Sequence, residues 1–134
     1  MDFIYQDPYP ILKDDTQYKK LTSDFVKIEQ LGDREILVVD PKGLELLAQE
    51  AMDDVSFMLR SAHLQKLRNI IEDPEATDND RFVAYNLLQN ASIAVEGQLP
   101  SCQDTGTAIV MAKKGESVYT GVDDAEWLSR GIFN

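Results

Sequence analysis

The chain has 134 residues, 43% of them hydrophobic, 28% charged and 8% aromatic, with 13 basic against 24 acidic residues and a formal net charge of −11. A chain of this length can bury about 70% of the surface its unfolded form exposes, so it can hold a core without disulfides or metals, and disorder is a poor reading. No basic run is longer than the pairs Lys19-Lys20 and Lys113-Lys114, and the acidic surplus argues against nucleic acid and anionic membrane surfaces as partners.

The single cysteine cannot form an internal disulfide, and the start MDFIYQDPYP lacks the basic region and apolar run of a signal peptide. No apolar stretch approaches the roughly 20 residues needed to cross a bilayer. The expectation is one cytoplasmic domain spanning residues 1–134.

Residues 1–24 are rich in Pro, Asp and Tyr. Pro8 and Pro10 each remove a backbone donor and disfavour helix at the residue before, so this stretch reads as an extended arm. Its aromatic residues Phe3, Tyr5, Tyr9 and Tyr18 suggest that it packs on a surface. Phe25–Gln30 and Glu35–Asp40 are β-branched segments joined by Leu31-Gly32-Asp33-Arg34, the pattern of a hairpin with a glycine turn. The second strand is nearly all apolar, which predicts cover on both faces.

Asp40-Pro41 supplies an N-cap acid and a proline at the first helical position. Leu44, Leu47, Ala48, Ala51, Val55, Met58 and Leu59 follow at helical spacing. A shorter helix starts at Ser61, carries Leu64, Leu67 and Ile71 on one face, and stops at Asp73-Pro74. Thr77 with Asp80 three residues on resembles a capping box with Asp in place of Glu. It opens a third helix with the stripe Ala84, Leu87, Leu88, Ala91 and Val95, ended by Gly97 and Pro100.

Residues 99–107 then lose all periodicity and read as a loop. Ala108–Ala112 is a continuous apolar run suited to a buried strand, turned back by Lys113-Lys114-Gly115-Glu116 into Ser117–Thr120. Asp123 and Asp124 can start a last helix with Trp127, Leu128 and Ile132 facing inward. The order predicts an α+β fold, three to four helices packed with a small sheet built from hairpins.

Cys102 follows a proline and a serine and precedes an amide, a carboxylate, a hydroxyl and a glycine. Backbone N–H groups in such a loop can stabilise a thiolate and prepare it as nucleophile or metal ligand. Against this, an unbridged cysteine is often a small buried hydrophobe, and composition alone favours that reading. A catalytic thiol needs a base, and His63, the only histidine, stands near a helix start where a histidine usually faces solvent. One Cys and one His fall short of the usual four metal ligands, so any metal site would need ligands from elsewhere. Asp104 could serve as a general acid or base and the Gln103 amide could bind a carboxylate, but Asp-Thr-Gly is equally an ordinary turn. No GxGxxG or GxxxxGK[ST] phosphate loop is present.

The string LPSCQDTGTAIVMAKKGESVYTG, residues 99–121, resembles the cluster loop and following hairpin of the iron–sulfur, class I fumarate hydratases. YPILKDDTQYKKLTSDFV, LLAQEAMDDVSFMLRSAHLQKL, EDPEATDNDRFVAYNLLQN and LSRGIFN resemble the same family in the same order, so the likeness covers essentially the whole chain. The arm also separates the chain from the two-subunit tartrate dehydratases, which resemble it in the CQDTG loop but lack such an arm. The resemblance implies a homodimeric hydro-lyase of the tricarboxylic acid cycle that reversibly hydrates fumarate to L-malate. It implies a 4Fe-4S cluster held by three cysteines, with the fourth iron open as a Lewis acid. By position, Cys102 would be one metal ligand, Gln103 and Asp104 would contact the dicarboxylate, and Asp104 would be the catalytic proton-transfer group.

Two departures accompany this likeness. Val122 stands where the family commonly has glycine after the hairpin, and family members run to several hundred residues with two more cluster cysteines. The chain therefore reads as an N-terminal fragment that is expected to be inactive alone, with 99–107 its cluster loop and apolar surface left uncovered. A different dicarboxylate substrate such as tartrate or mesaconate, and a stand-alone interaction module without catalysis, are the alternatives.

Overall fold

The computed structural model describes residues 3–7, 17–102 and 106–134. Among them are three strands, β1 (Val26–Leu31), β2 (Arg34–Val39) and β3 (Val118–Tyr119), and four helices, α1 (Pro41–Phe57), α2 (Ser61–Glu72), α3 (Asp78–Ala94) and α4 (Asp124–Phe133). The fold is α+β, as the sequence predicts.

β1 and β2 pair antiparallel from Val26 with Val39 to Leu31 with Arg34, leaving Gly32 and Asp33 as the two-residue turn. Gly32 has φ +64° and is the only turn residue with positive φ, the pattern of a type II′ turn, whose first central position needs glycine. At the open end the Asp40 N–H donates to the Phe25 carbonyl at 2.8 Å.

The third strand departs from expectation. Ala108–Ala112 forms no strand. Ile109 and Met111 are 70% and 68% exposed. β3 instead joins β2 in parallel, with Leu37 opposite Val118 and Val38 opposite Tyr119, so the sheet is one hairpin plus a parallel edge rather than a stack of hairpins. A run of apolar side chains specifies a strand only when another backbone completes the ladder. Cover on both faces of β2 is also not observed: Ile36–Val39 are half-buried and the other two residues exposed.

The helix starts follow their caps. The Asp40 carboxylate accepts from the Lys42 N–H at 2.9 Å, with Pro41 in the first turn. At α3 the capping box is complete: Thr77 Oγ1 accepts from the Asp80 N–H at 3.2 Å, and the Asp80 carboxylate accepts from the Thr77 N–H at 2.9 Å. Asp123 caps α4 by accepting from the Ala125 N–H at 3.0 Å. Arg81 reaches back from α3 to donate to the Asp73 carbonyl at 2.8 Å, tying the end of α2 to the start of α3.

Two helix pairs make the core, α1 with α4 and α2 with α3. Ala48 on α1, Leu67 on α2, and Ala84 and Ala94 on α3 are buried. Leu64 and Ile71 are half-buried beside Leu67 as the stripe predicts, and so are Trp127, Leu128 and Ile132 on α4. The longer stripes are only partly covered, since Leu47 and Val55 on α1, Met58 at its C-cap and Val95 at the C-cap of α3 are exposed. The α1–α4 contact depends on Gly131: a Cβ there would lie 2.1 Å from the Glu45 carbonyl oxygen and 2.9 Å from Ala48 Cβ. Asn134 Nδ2 adds a 2.7 Å hydrogen bond to Glu45 Oε1 across the same contact.

The arm's described part holds on through charge. Asp7 pairs with Lys113 at 2.5 Å and Lys19 with Glu50 at 3.6 Å. The expected aromatic packing is not seen at Phe3, Tyr5 or Tyr18, each more than 70% exposed. Tyr9 and both arm prolines lie outside the described residues. No helix among the described residues is long and apolar enough to cross a membrane.

Candidate functional site

The loop that carries Cys102 leaves α3 through the Gly97–Pro100 stretch and returns across the ends of two helices. Its anchor is Ser101, 2% exposed, whose N–H donates to the Ser56 carbonyl on α1 at 2.7 Å. The Ser56 hydroxyl donates in turn to the Met52 carbonyl at 2.7 Å, a bond within the same helix. From α3, Asn90 Oδ1 accepts twice: from the Ser101 hydroxyl at 3.3 Å and from the Cys102 N–H at 3.0 Å. A buried hydroxyl and two backbone donors are thus satisfied by groups on α1 and α3, and the chain is fixed up to the backbone of Cys102.

Beyond that point the thiol side chain is exposed. The expectation of a buried, inert cysteine is not met. Gln103 and Asp104, the two residues expected to contact substrate, lie outside the described residues. His63 is exposed in the first turn of α2. No group of three or more His, Cys, Asp or Glu side chains that could hold a metal ion occurs among the described residues.

A second polar cluster sits where the sheet meets α4. The Thr120 hydroxyl, on a residue 8% exposed, donates to Asp124 Oδ1 at 2.5 Å. Lys114 Nζ donates to the other Asp124 oxygen and to Thr120 Oγ1 at 3.3 Å. The lysine and threonine donors hold the Asp124 carboxyl below its ordinary value of 3.8. The Thr77 hydroxyl and N–H do the same for Asp80. Asp124 thus joins the Lys113-Lys114 segment to the first turn of α4, where a carboxylate also meets the positive end of the helix dipole. Beside this cluster an open apolar groove of about 550 Å³ runs between the arm, the hairpin and α1, lined by Leu21, Phe25, Val39, Leu44, Leu47 and Val118.

The sequence singles out Cys102 as a candidate but not the residues that hold its backbone. Ser101 reads as one more small polar loop residue. Asn90 reads as a polar interruption beside the stripe of α3. The available signal was that an amide in a helix next to apolar positions competes with the backbone unless it has its own donors to satisfy, and here it caps a neighbouring loop.

The fold and the loop define the class: an α+β chain that presents one thiol from a backbone clamped between two helices. A family model described as fumarate hydratase (fumerase) matches residues 45–134, more than half of the chain, and the chain belongs to that family. It is 52% identical over 132 residues to the aerobic class I fumarate hydratase of Salmonella typhimurium, covering 98% of this chain and 23% of that protein. It is likewise 52% identical over 132 residues to the anaerobic class I fumarate hydratase of Escherichia coli, covering 24% of it. Over 122 residues it is 50% identical to the mitochondrial fumarate hydratase 1 of Leishmania major, covering 90% of this chain and 22% of that protein. The chain therefore spans about a quarter of the length of these curated relatives.

Proposed function

We propose that this chain is the N-terminal part of a fumarate hydratase, a hydro-lyase that reversibly adds water to fumarate to give L-malate. The observation that carries the reading is 52% identity to class I fumarate hydratases along 98% of the chain, a match that runs through the loop of Cys102. The proposed cofactor is a 4Fe-4S cluster held by three cysteines, with Cys102 as one of them. The soft thiolate that cysteine supplies suits iron–sulfur ligation, and a thiol exposed on an anchored loop suits a fixed ligand. The cluster, when bound, supplies a Lewis acid to the substrate oxygens.

The chain's own proposed part in the chemistry is carried over from the family by position. Cys102 would be one of the thiolates that hold the cluster. The Gln103 amide donates to a substrate carboxylate, fixing the dicarboxylate in one orientation. Asp104 moves the proton at the carbon next to the one that carries the hydroxyl, a weakly acidic position that needs a placed base. One thiol cannot complete a three-cysteine site, so the other ligands belong to the rest of the protein, as do most of the cationic groups that neutralise the substrate. The working enzyme is read as a cytoplasmic homodimer.

The test is anaerobic reconstitution with iron and sulfide, followed by an assay of fumarate hydration. The full-length protein should acquire a cluster and turn over, and its Cys102→Ser variant should lose both. Sustained turnover by the 134-residue chain alone would sink the assignment of the missing ligands to the remainder. A Cys102→Ser protein with full cluster content would sink the ligand role.

A further inference from the structure

We infer that Asn90 is a positioning residue for the cluster loop: its side-chain oxygen accepts from the Ser101 hydroxyl and the Cys102 backbone N–H and so holds the chain in the conformation that presents the thiol. The inference rests on the reading of Cys102 as a ligand and goes beyond it, because nothing in that reading assigns a role to α3.

A cluster ligand is best served by a thiolate that is held in place independently of the cluster. A loop whose polar side chains are Ser, Gln, Asp and Thr, set among Pro and Gly, does not ensure this by itself, since water satisfies those polar groups equally well. Here the fixed point comes from outside the loop. Asn90 stands half-buried near the C-terminal end of a 17-residue helix, and its Oδ1 takes both the Cys102 N–H and the Ser101 hydroxyl. The Ser101 N–H is taken by Ser56 on a different helix. Two rigid elements therefore grip consecutive peptide units just before the thiol, and the grip at Cys102 itself belongs to Asn90. A ligand held by elements rather than by loop contacts is the arrangement expected of a preorganised metal site.

The geometry makes a distinction between an acceptor and a mere filler. Asn90→Leu keeps the branched shape and the heavy-atom count and removes the acceptor. Asn90→Asp keeps an oxygen where both donors point. In the 134-residue chain, hydrogen exchange of the Cys102 amide should rise about tenfold in Asn90→Leu and return toward the original rate in Asn90→Asp, with the amides of α4 unchanged in both. In the full-length protein, cluster absorbance should decay faster in air in the Leu variant and be restored in the Asp variant. Unchanged exchange at Cys102, a uniform rise across all amides, or failure of the Asp variant to restore protection would each overturn the role of Asn90. The ligand reading fails separately, through retention of the cluster in Cys102→Ser, and that result leaves the exchange measurement intact.

Discussion

The runs Ile36–Val39 and Ala108–Ala112 have much the same apolar character and different surroundings. The first lies between two strands, with β1 on one side and β3 on the other, and its residues are half-buried. The second has no ladder partner among the described residues, forms no strand, and leaves Ile109, Val110 and Met111 exposed. The difference lies in the partner and not in the residues. Hydrophobic patterning says that a segment has surface to bury, while the second backbone says where. The same contrast separates the two sides of the molecule, one closed by helix contacts at Gly131 and one left apolar and open.

The strongest way to break this contrast is to open the closed side. Gly131→Ala places a methyl group 2.1 Å from a backbone oxygen that cannot rotate away, so α1 and α4 must separate. Helical propensity favours alanine by up to about 1 kcal/mol, and overpacking costs about 1–3 kcal/mol or more. The steric term wins, and urea unfolding of the chain should show a net loss of about 2 kcal/mol. A more stable Gly131→Ala chain would mean that the helices do not meet at this point.

Local signals act on a smaller scale. Thr77→Ala removes half of the capping box and should cost about 1 kcal/mol in the same assay, well short of the Gly131 variant. Caps of this kind were legible from the sequence because their partners lie within three residues: Asp40 with Lys42, Thr77 with Asp80, Asp123 with Ala125. The turn at Gly32 was legible for the same reason. Gly131 was not, since a glycine inside a helix signals a close approach without naming what approaches. Asn90 and Ser101 are 11 residues apart and meet only once α3 is formed and the loop has folded back on it. The roles proposed for Gln103 and Asp104 rest on family resemblance alone, through a motif whose local chemistry reads equally as a turn.

The Asp124 cluster should have a sign that pH can read. Its carboxyl is depressed in the folded chain by the Lys114 and Thr120 donors, so it contributes stability above its unfolded value near 3.8. That contribution is lost as pH falls through the lower folded value. Thermal melts of the chain and of Asp124→Asn should therefore differ at pH 6 and converge toward pH 3. A gap that stays constant across that range would show that the carboxylate charge is not what joins Lys114 to α4.

The smallest expected effect falls on the open side and sharpens the contrast most. Ile109→Asp places a charge on a side chain already 70% exposed, so no buried apolar contact is lost and no charge is desolvated. In the 134-residue chain the change should stay within about 0.5 kcal/mol of the original stability. The proposed full-length enzyme gives a different expectation. If its remaining three quarters supply the strand that Ala108–Ala112 lacks, the same aspartate is buried against that partner and should lower the melting temperature of the full-length protein by several degrees. The two measurements together separate a segment that is merely exposed from one that awaits a partner. Equal, negligible effects in both proteins would leave the run uncovered in the whole enzyme, and a large loss in the short chain would mean that the segment is already packed.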